Sequence, residues 1–410
     1  MDQETKIVRL SNGIRIAYVH VDSIVAHLGV TILAGSRYEE DHEEGLAHFL
    51  EHCIFKGTSK RRAFHVLSRL DSVGGELNAF TTKEEICIYA SFMKEHLHRA
   101  SDLISDIIQQ ATFPEKELIK EKEIVLDEIN SYLDAPADRI FDEFEAQIFQ
   151  NHPLGNNILG TKESVSGFTQ QHLLEYVNKH FRAENMVISF VGSIPLNQLV
   201  RRLEKDFGTI QKGAGRPDPR TFENYRPSKK RSKEANFQAH VVIGSLAPGY
   251  RDDRRRGMTL LCNLLGGPAL NARLILSIRE KYGYSYNIEA NYSPYADTGY
   301  WSVYFGTDQK YLKKTLSLVY RELRLLREKQ LTPGQLKGAK DQLKGHLALS
   351  LENNSGLMQG LGKSLLLFDQ IDTITEMYEE IDRITAEELQ EIAQDYFDEA
   401  KISELIYEIS

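Results

Sequence analysis

The sequence has little of three features that would each point to a particular class of protein. Cys53, Cys87 and Cys262 are too few, and odd in number, for a disulfide framework, which favours a reducing compartment. No stretch is long and apolar enough to cross a bilayer. The N-terminus has neither the apolar run of a signal peptide nor the Arg and Ser content of a transit peptide. We therefore expect a cytoplasmic protein with no membrane partner.

A basic excess is also missing. Lys and Arg number 50 against 59 Asp and Glu, a formal net charge of −9, which argues against a nucleic-acid partner. The chain has 410 residues, of which 41% are apolar and 27% are charged. This is an ordinary globular composition, and the length favours two or more domains.

An internal duplication is the first feature that the sequence does contain. The segment AHLGVTILAGSRYEEDHEEGLAHFLEH resembles AHVVIGSLAPGYRDDRRRGMTLLCNLL, NAFTTKEEICIYASF resembles NYSPYADTGYWSVYF, and TQQHLLEYVNKHF resembles TAEELQEIAQDYF. The three matches occur in the same order at offsets of 212 to 216 residues. We predict an α+β protein of two homologous halves, residues 1–212 and 234–410. Residues 213–233, rich in Gly, Pro and charge, are predicted to be a linker whose basic end is solvated.

The stretch GLAHFLEHCIFKGT at 45–58 combines a buried helix with three polar residues. Its apolar positions predict an amphipathic helix that carries His48, Glu51 and His52 on the side opposite the core. Two histidines one turn apart can bind one ion, and the glutamate between them can take a proton from water. This H-x-x-E-H order is the reverse of the H-E-x-x-H zinc-protease signature. A solvated surface helix is the alternative interpretation.

A third ligand is available on the helix predicted after Pro114. Glu121 and Glu128 are seven residues apart, so they share one helical face beside an apolar line. One of them can bind a metal while the other supports a ligand from behind. An acidic helix face that is simply solvated is the alternative.

The motifs GLAHFLEHCIFKGT, GGELNAFTTKEEICIYASF and EKEIVLDEI together resemble the M16 (pitrilysin, or inverzincin) metallopeptidases, and the chain is most similar to the mitochondrial-processing-peptidase-like M16B branch. The resemblance covers essentially the whole chain. It implies two α/β-sandwich domains of the LuxS/MPP-like metallohydrolase fold, forming one half of a clamshell. It further implies that His48, His52 and Glu128 bind Zn²⁺, that Glu51 is the general base, and that Glu121 supports the site.

The resemblance also implies a substrate-binding role for four further residues. The segment around Asn78 and Ala79 would be an edge strand that holds an extended peptide by backbone pairing. Arg279 and Tyr286, in the second half, would hydrogen-bond the substrate carbonyl or the oxyanion formed from it. Without the resemblance, Asn78 could equally be a turn residue, and Arg279 and Tyr286 could be ordinary surface and strand residues.

The expected function is a zinc-dependent endopeptidase that hydrolyses extended peptides or unfolded segments. Because the resemblance implies that this chain supplies only one half of a closed chamber, a homodimer is expected, and a heterodimer with another M16-like chain is possible. The alternative is a non-catalytic or partner-requiring subunit in which zinc is structural.

Overall fold

The computed structural model describes residues 4–410. The strands are β1 (Thr5–Arg9), β2 (Arg15–His20), β3 (Val25–Ile32), β4 (Glu76–Thr81), β5 (Ile86–Met93), β6 (Met186–Gly192), β7 (Lys229–Glu234), β8 (Ala239–Ala247), β9 (Ser285–Pro294), β10 (Gly299–Thr307) and β11 (Ser403–Ile409). The α-helices are α1 (Leu46–Cys53), α2 (Ala63–Asp71), α3 (Leu97–Gln110), α4 (Glu115–Leu133), α5 (Pro136–Ile148), α6 (Lys162–Gly167), α7 (Gln170–His180), α8 (Leu196–Phe207), α9 (Arg255–Gly266), α10 (Leu312–Glu328), α11 (Pro333–Leu351), α12 (Asn354–Phe368), α13 (Ile374–Arg383) and α14 (Ala386–Tyr396). Within the described range, no helix is both long enough and apolar enough to cross a membrane.

The described chain folds into two compact units. The first contains the chain up to Asn130 together with Asn156–Arg220 and Leu349–Thr373, and the second contains Ser131–Gly155, Thr221–Ala348 and Ile374–Ser410. Each unit has one sheet with helices packed against it and its own apolar clusters. The predicted α+β class is confirmed.

The sheet of the first unit has the strand order β1-β2-β6-β3-β5-β4. Strands β2 and β6 are parallel, and the other neighbours are antiparallel. Along β2, Ile16 and Tyr18 belong to the large apolar cluster, whereas Ala17 and Val19 belong to a second cluster with helix α12. Because both faces are covered, the central strand β6 is a continuous buried run, MVISFVG.

The sheet of the second unit repeats this arrangement. Its order is β7-β11-β8-β10-β9, and only β7 and β11 are parallel among the strands described. Apart from β1, each strand of the first sheet therefore has a counterpart with the same neighbours and directions. Helices α7 and α14 both begin with a capping box at an N-cap threonine, Thr169 and Thr385, which are the residues matched in the sequence.

Each compact unit includes a helix from the other half of the sequence. Helix α5 packs with β8 and β11 in the second unit, and α12 packs with β3 and β6 in the first. The approach of α12 is close, since a Cβ on Gly362 would lie 2.3 Å from Thr31 Oγ1. The predicted division into 1–212 and 234–410 follows the duplicated sequence and does not include this exchange. Helical periodicity indicates that a helix has an apolar side, but it does not indicate which sheet that side covers.

Part of the predicted linker is a strand. Lys229–Glu234, the basic end of the segment, is β7 and pairs with β11 at the edge of the second sheet. Its sequence, KKRSKE, does not alternate apolar and polar residues, because an edge strand can leave most of its side chains exposed. The lysines also discourage pairing with a further strand. The side chains of this end are mostly exposed, which agrees with its interpretation as solvated, but its backbone is a paired strand and not an irregular linker.

The three cysteines are free and buried. Cys53 lies in the apolar core of the first unit, where burial raises the pKa of its thiol. This agrees with the role in packing that its place on the apolar side of the predicted helix indicated.

Candidate metal centre

Helix α1 starts from a conformation that glycine adopts easily. Gly45 has φ 90°, and a Cβ there would lie 2.6 Å from Gly160 Cα. The buried carboxylate of Glu39 accepts the backbone N–H groups of Gly45 at 3.0 Å and Ala47 at 2.7 Å. Burial raises the pKa of Glu39 to about 8, although both hydrogen bonds lower it. These contacts fix the start of the helix that carries the predicted ligands.

His48 and His52 lie one turn apart on α1, with their ring centroids 4.7 Å from each other. The face opposite the core is covered rather than open, because His48 is only 8% exposed and His52 is partly buried. Burial, and to a smaller extent the charge of His52, lowers the pKa of His48 to about 4. His48 is therefore neutral near pH 7, which is the form that binds a metal ion.

Helix α4 places Glu128 against both imidazoles. Glu128 Oε2 lies 3.8 Å from His48 Nε2 and 3.4 Å from His52 Nε2. The carboxylate is on the same helical face as Glu121, two turns earlier, while Leu118, Val125 and Ile129 are buried, as the sequence predicted. The structure thus brings together three residues that are up to 80 positions apart in the sequence.

The geometry of these three side chains fits one divalent ion. One ligand atom from each residue lies within 4.8 Å of the others. Tetrahedral zinc with bonds of about 2.1 Å would place its ligand atoms about 3.4 Å apart. The measured separations to Glu128 are close to this value. Two imidazoles and one carboxylate are also a donor set of catalytic zinc sites, in which the fourth position is open.

Glu121 connects the site to a lysine that the sequence analysis did not identify. Glu121 Oε2 lies 3.5 Å from His52 Nδ1, and Glu121 Oε1 lies 2.7 Å from Lys56 Nζ. Glu121 is only 5% exposed, and Lys56 provides a counter-charge for this buried side chain. A carboxylate behind Nδ1 directs the Nε2 atom of His52 towards Glu128.

Glu51 is partly buried on the same helix and contacts the end of strand β4. Burial raises the pKa of its carboxyl, while hydrogen bonds from the side chain and backbone of Thr81 and the charge of His52 lower it. A carboxyl whose pKa is raised by burial beside a metal centre is suited to accept a proton and return it. Thr81 thereby links Glu51 to the strand that carries Asn78 and Ala79.

Asn78 and Ala79 lie on an edge strand, as the resemblance implied. Strand β4 ends the first sheet and, among the described residues, pairs only with β5. The Asn78 side chain is exposed and that of Ala79 is partly buried. The unpaired edge can accept the backbone of an added strand.

Arg279 and Tyr286 lie together in the second unit. Arg279 is in a π-helical turn, Ile275–Glu280, and Tyr286 is at the start of the edge strand β9. The guanidinium carbon is 4.8 Å from the centroid of the tyrosine ring, a cation–π contact. Tyr286 is 83% exposed, so its hydroxyl is accessible to a ligand.

Three residues of this centre were missed by sequence reasoning: Glu39, Lys56 and Thr81. The first caps α1, the second pairs with Glu121, and the third contacts Glu51. Lys56 follows His52 by four residues, the spacing of one helical turn. This spacing was the only feature of the sequence that could have indicated that Lys56 lies near the site. The contacts of Glu39 and Thr81 depend on how separate segments pack, which local periodicity does not encode.

Known proteins resemble this chain along nearly all of its length. The family described as Insulinase (Peptidase family M16) matches residues 15–162, and Peptidase M16 inactive domain matches residues 167–343. A Bacillus subtilis (strain 168) protein named uncharacterized zinc protease YmxG is 34% identical over 392 residues, which cover 95% of this chain and 94% of that protein.

Solved structures show the same fold. A protease from Helicobacter pylori superposes with a TM-score of 0.91 at 19% identity, covering 99% of this chain and 100% of that one. A chain of complex III2 from Candida albicans superposes with a TM-score of 0.86 at 20% identity, covering 99% and 96%. The family matches and the extent of the Bacillus similarity lead to one conclusion: the chain belongs to peptidase family M16, the insulinase family of zinc metallopeptidases.

Proposed function

We propose that this protein is a zinc-dependent endopeptidase that cleaves extended peptides or unfolded protein segments. The observation that carries the proposal is the convergence of His48, His52 and Glu128 to within 4.8 Å, with Glu51 on the same helix. The relatives named zinc proteases support the same reaction class. The preference for extended chains follows from the unpaired edge of β4, since only an extended backbone can add to a sheet.

Each residue of the site has a separate role in the proposed hydrolysis. His48, His52 and Glu128 would hold the zinc ion, which would supply a Lewis acid for the attacking water and the scissile carbonyl. Glu51 accepts the proton from the water and delivers it to the leaving amine. Glu121 and Lys56 act through His52, because they hold its Nε2 atom towards the metal position.

The substitution Glu51→Gln tests this proposal directly. We expect peptide hydrolysis to fall by at least about 100-fold, the lower range for general-base catalysis, while bound zinc stays at the wild-type level. The measurements are turnover of a quenched peptide and metal content by mass spectrometry. The matched control is Glu123→Gln, which neutralises an exposed glutamate on α4. Unchanged turnover in Glu51→Gln would remove Glu51 from the mechanism.

We also propose that the active form is a homodimer in which Arg279 and Tyr286 act at the zinc site of the second copy. The exposure of Tyr286 and its contact with Arg279 support a role in binding. Mixing an Arg279→Ala chain with a Glu51→Gln chain should restore part of the activity, because one complete site forms in the mixed dimer. Complete absence of rescue would contradict action between copies. A chain that is active only with a different M16-like partner would replace the homodimer with a heterodimer.

A non-catalytic subunit is the second candidate. It is favoured by the likeness in fold to a chain of complex III2, which is part of a complex and is not named as a peptidase. The presence of Glu51 beside the three potential ligands favours the enzyme. Peptide hydrolysis that a chelator abolishes and added zinc restores would support the enzyme, whereas zinc-loaded protein without hydrolysis would support the subunit.

A further inference from the structure

A polar cavity lies in the first unit, and none of its lining residues belongs to the zinc site. It has a volume of about 570 Å³. Four cationic and two acidic side chains line it, and we refer to them as the basic pocket: Arg9, Arg15, Lys212, Arg216, Glu184 and Asp369. In a chain with a net charge of −9, a cavity with more basic than acidic side chains is unusual.

The two acidic side chains of the basic pocket are already used within the fold. The Asp369 carboxylate accepts hydrogen bonds from both Arg15 and Arg216. The same two arginines donate to the Leu365 and Leu366 carbonyls at the end of α12, each at 2.6 Å. They therefore have a structural role, because they cap α12 against the first sheet.

Glu184 is likewise occupied. Its carboxylate accepts the backbone N–H groups of Gly213, at 2.7 and 2.9 Å, and of Gly215, at 3.1 Å. The glycine-rich segment thus folds around an anion that the protein itself supplies. Glu184 is held by these bonds at one wall of the cavity and forms no ion pair with Arg9 or Lys212 among residues 4–410.

Two cations of the basic pocket have no counter-charge from residues 4–410. The side chains of Arg9 and Lys212 are exposed, and neither forms an ion pair or hydrogen bond with any residue in the described part of the chain. Arg15, behind them, is buried. Burial first, and then the positive charges of Arg216 and Arg9, lower the pKa of Arg15 to about 10 although Asp369 raises it. Burial is thus the main cause of this shift, and the neighbouring positive charges add to it.

We propose that the basic pocket binds a phosphate-bearing small molecule, with Arg9 and Lys212 as its principal ligands. Phosphate carries up to two negative charges, and guanidinium and ammonium groups bind it through charge-assisted hydrogen bonds. The volume is in the range of cavities that hold small ligands, so there is room for an organic group beside the phosphate. The ligand would join strands β1 and β2, the segment after Lys212 and the end of α12, and would thereby hold α12 more firmly on the first sheet.

Titration calorimetry with the zinc-loaded full chain tests the proposal, with inorganic phosphate and phenyl phosphate as probes at constant ionic strength. We expect saturable binding that the double variant Arg9→Gln/Lys212→Gln weakens by about tenfold or more, because charge-assisted hydrogen bonds are lost. Neither side chain has a partner among residues 4–410, so this variant should remain folded. Tighter binding of phenyl phosphate would indicate an organic phosphate, and equal binding would indicate free phosphate; both support the proposal.

The matched control is Arg62→Gln/Lys162→Gln, which removes the same charge from exposed positions of the first unit. Phosphate affinity should be unchanged in this control. Absence of saturable binding to the wild-type protein would overturn the proposal. An equal loss of affinity in both double variants would also overturn it, since binding would then follow net charge rather than the pocket. Metal content measured before and after the titration excludes an effect of phosphate on the zinc.

Discussion

The helix pair α1 and α4 in the first unit can be compared with the pair α9 and α11 in the second, because the two pairs occupy corresponding places in the duplicated chain. At the offset of 212 residues, the positions of His48, Glu51 and His52 hold leucine, asparagine and leucine. Helices α4 and α11 are both 19 residues long, and the position of Glu128 in the first corresponds to a histidine, His346, in the second. The arrangement of the elements is thus retained while the candidate metal centre is not.

In the second unit, the same positions serve packing. Leu260 is fully buried in the core, and Asn263 joins α9 to α11 through contacts with Gln342 at 3.3 Å and His346 at 3.2 Å. A neutral hydrogen-bonded network therefore replaces the cluster of imidazoles and carboxylates. The comparison indicates that the same arrangement of elements forms without such a cluster, which supports the proposed chemical role of the buried polar groups in the first unit.

The largest expected effect comes from giving the first unit the residues of the second. His48→Leu/His52→Leu should abolish hydrolysis and lower zinc affinity by more than about 100-fold. Replacing a residue that only hydrogen-bonds a ligand already lowers metal affinity by about 10-fold to 100-fold, and this variant removes two ligands. The free energy of unfolding of the metal-free protein should change by less than about 1 kcal/mol, because buried His48 Nδ1 has no hydrogen-bond partner among the described residues. Metal analysis and urea unfolding measure both effects.

The control for this exchange is His65→Leu, at an exposed position on α2. It should keep both zinc and activity. A double histidine variant that still bound one zinc per chain would show that the metal lies elsewhere, and the contrast between the two units would lose its basis.

Lys56 provides the next largest difference between the units. At the same offset its position in the second unit holds Pro268, and Ala339 occupies the place in α11 that Glu121 has in α4. Lys56→Met keeps the length of the side chain but removes the charge that faces Glu121. We expect zinc affinity, measured by competition with a chelator, to fall by about 10-fold to 100-fold.

Lys60→Met is the matched control for Lys56→Met, because Lys60 is an exposed lysine whose nearest acidic partner is 3.8 Å away. Zinc affinity should not change in this variant. If Lys56→Met lowered thermal stability and left zinc affinity intact, Lys56 would be a structural residue and not a positioning residue for His52.

The start of the site helix differs between the units in a way that pH can reveal. Glu39 is buried and accepts two backbone N–H groups at the start of α1, whereas at the start of α9 the partly buried Asp252 accepts the backbone N–H of Arg254 at 2.9 Å. The pKa of Glu39 rises from 4.5 to about 8 in the folded protein, so between these values the folded state binds more protons than the unfolded state. The contribution of Glu39 to the free energy of unfolding is therefore complete below pH 4.5 and is lost as the pH rises to about 8.

Glu39→Gln should remove this dependence. The free energy of unfolding of the wild type, minus that of the variant, should decrease with pH by up to about 1.4 kcal/mol per unit between pH 4.5 and 8. Urea unfolding of both proteins at a series of pH values measures the difference, and Glu123→Gln gives the slope expected from an exposed glutamate. Parallel curves for the wild type and Glu39→Gln would contradict a shifted carboxyl at this position.

The sequence predicted those parts of the molecule whose signals are local or repeated. Helix α1 and the shared face of Glu121 and Glu128 followed from periodicity, and the duplication followed from segments at constant spacing. The exchange of α5 and α12 could not be predicted, because either sheet offers an apolar face that such helices can cover. The pairs Lys56–Glu121 and Thr81–Glu51 were also missed, since they form only when α4 and β4 pack against α1.

The smallest expected effect concerns the helix pair α9 and α11 of the second unit. Asn263→Leu removes the hydrogen bonds between α9 and α11 and leaves His346 without this partner. We expect a loss of about 1 kcal/mol in the free energy of unfolding, with zinc content and hydrolysis unchanged. Glu51→Gln, at the corresponding position of the first unit, should lower hydrolysis and leave the free energy of unfolding nearly unchanged. A fall of more than about tenfold in hydrolysis by Asn263→Leu would mean that α9 contributes to the chemistry, and the division of roles between the two helix pairs would be wrong.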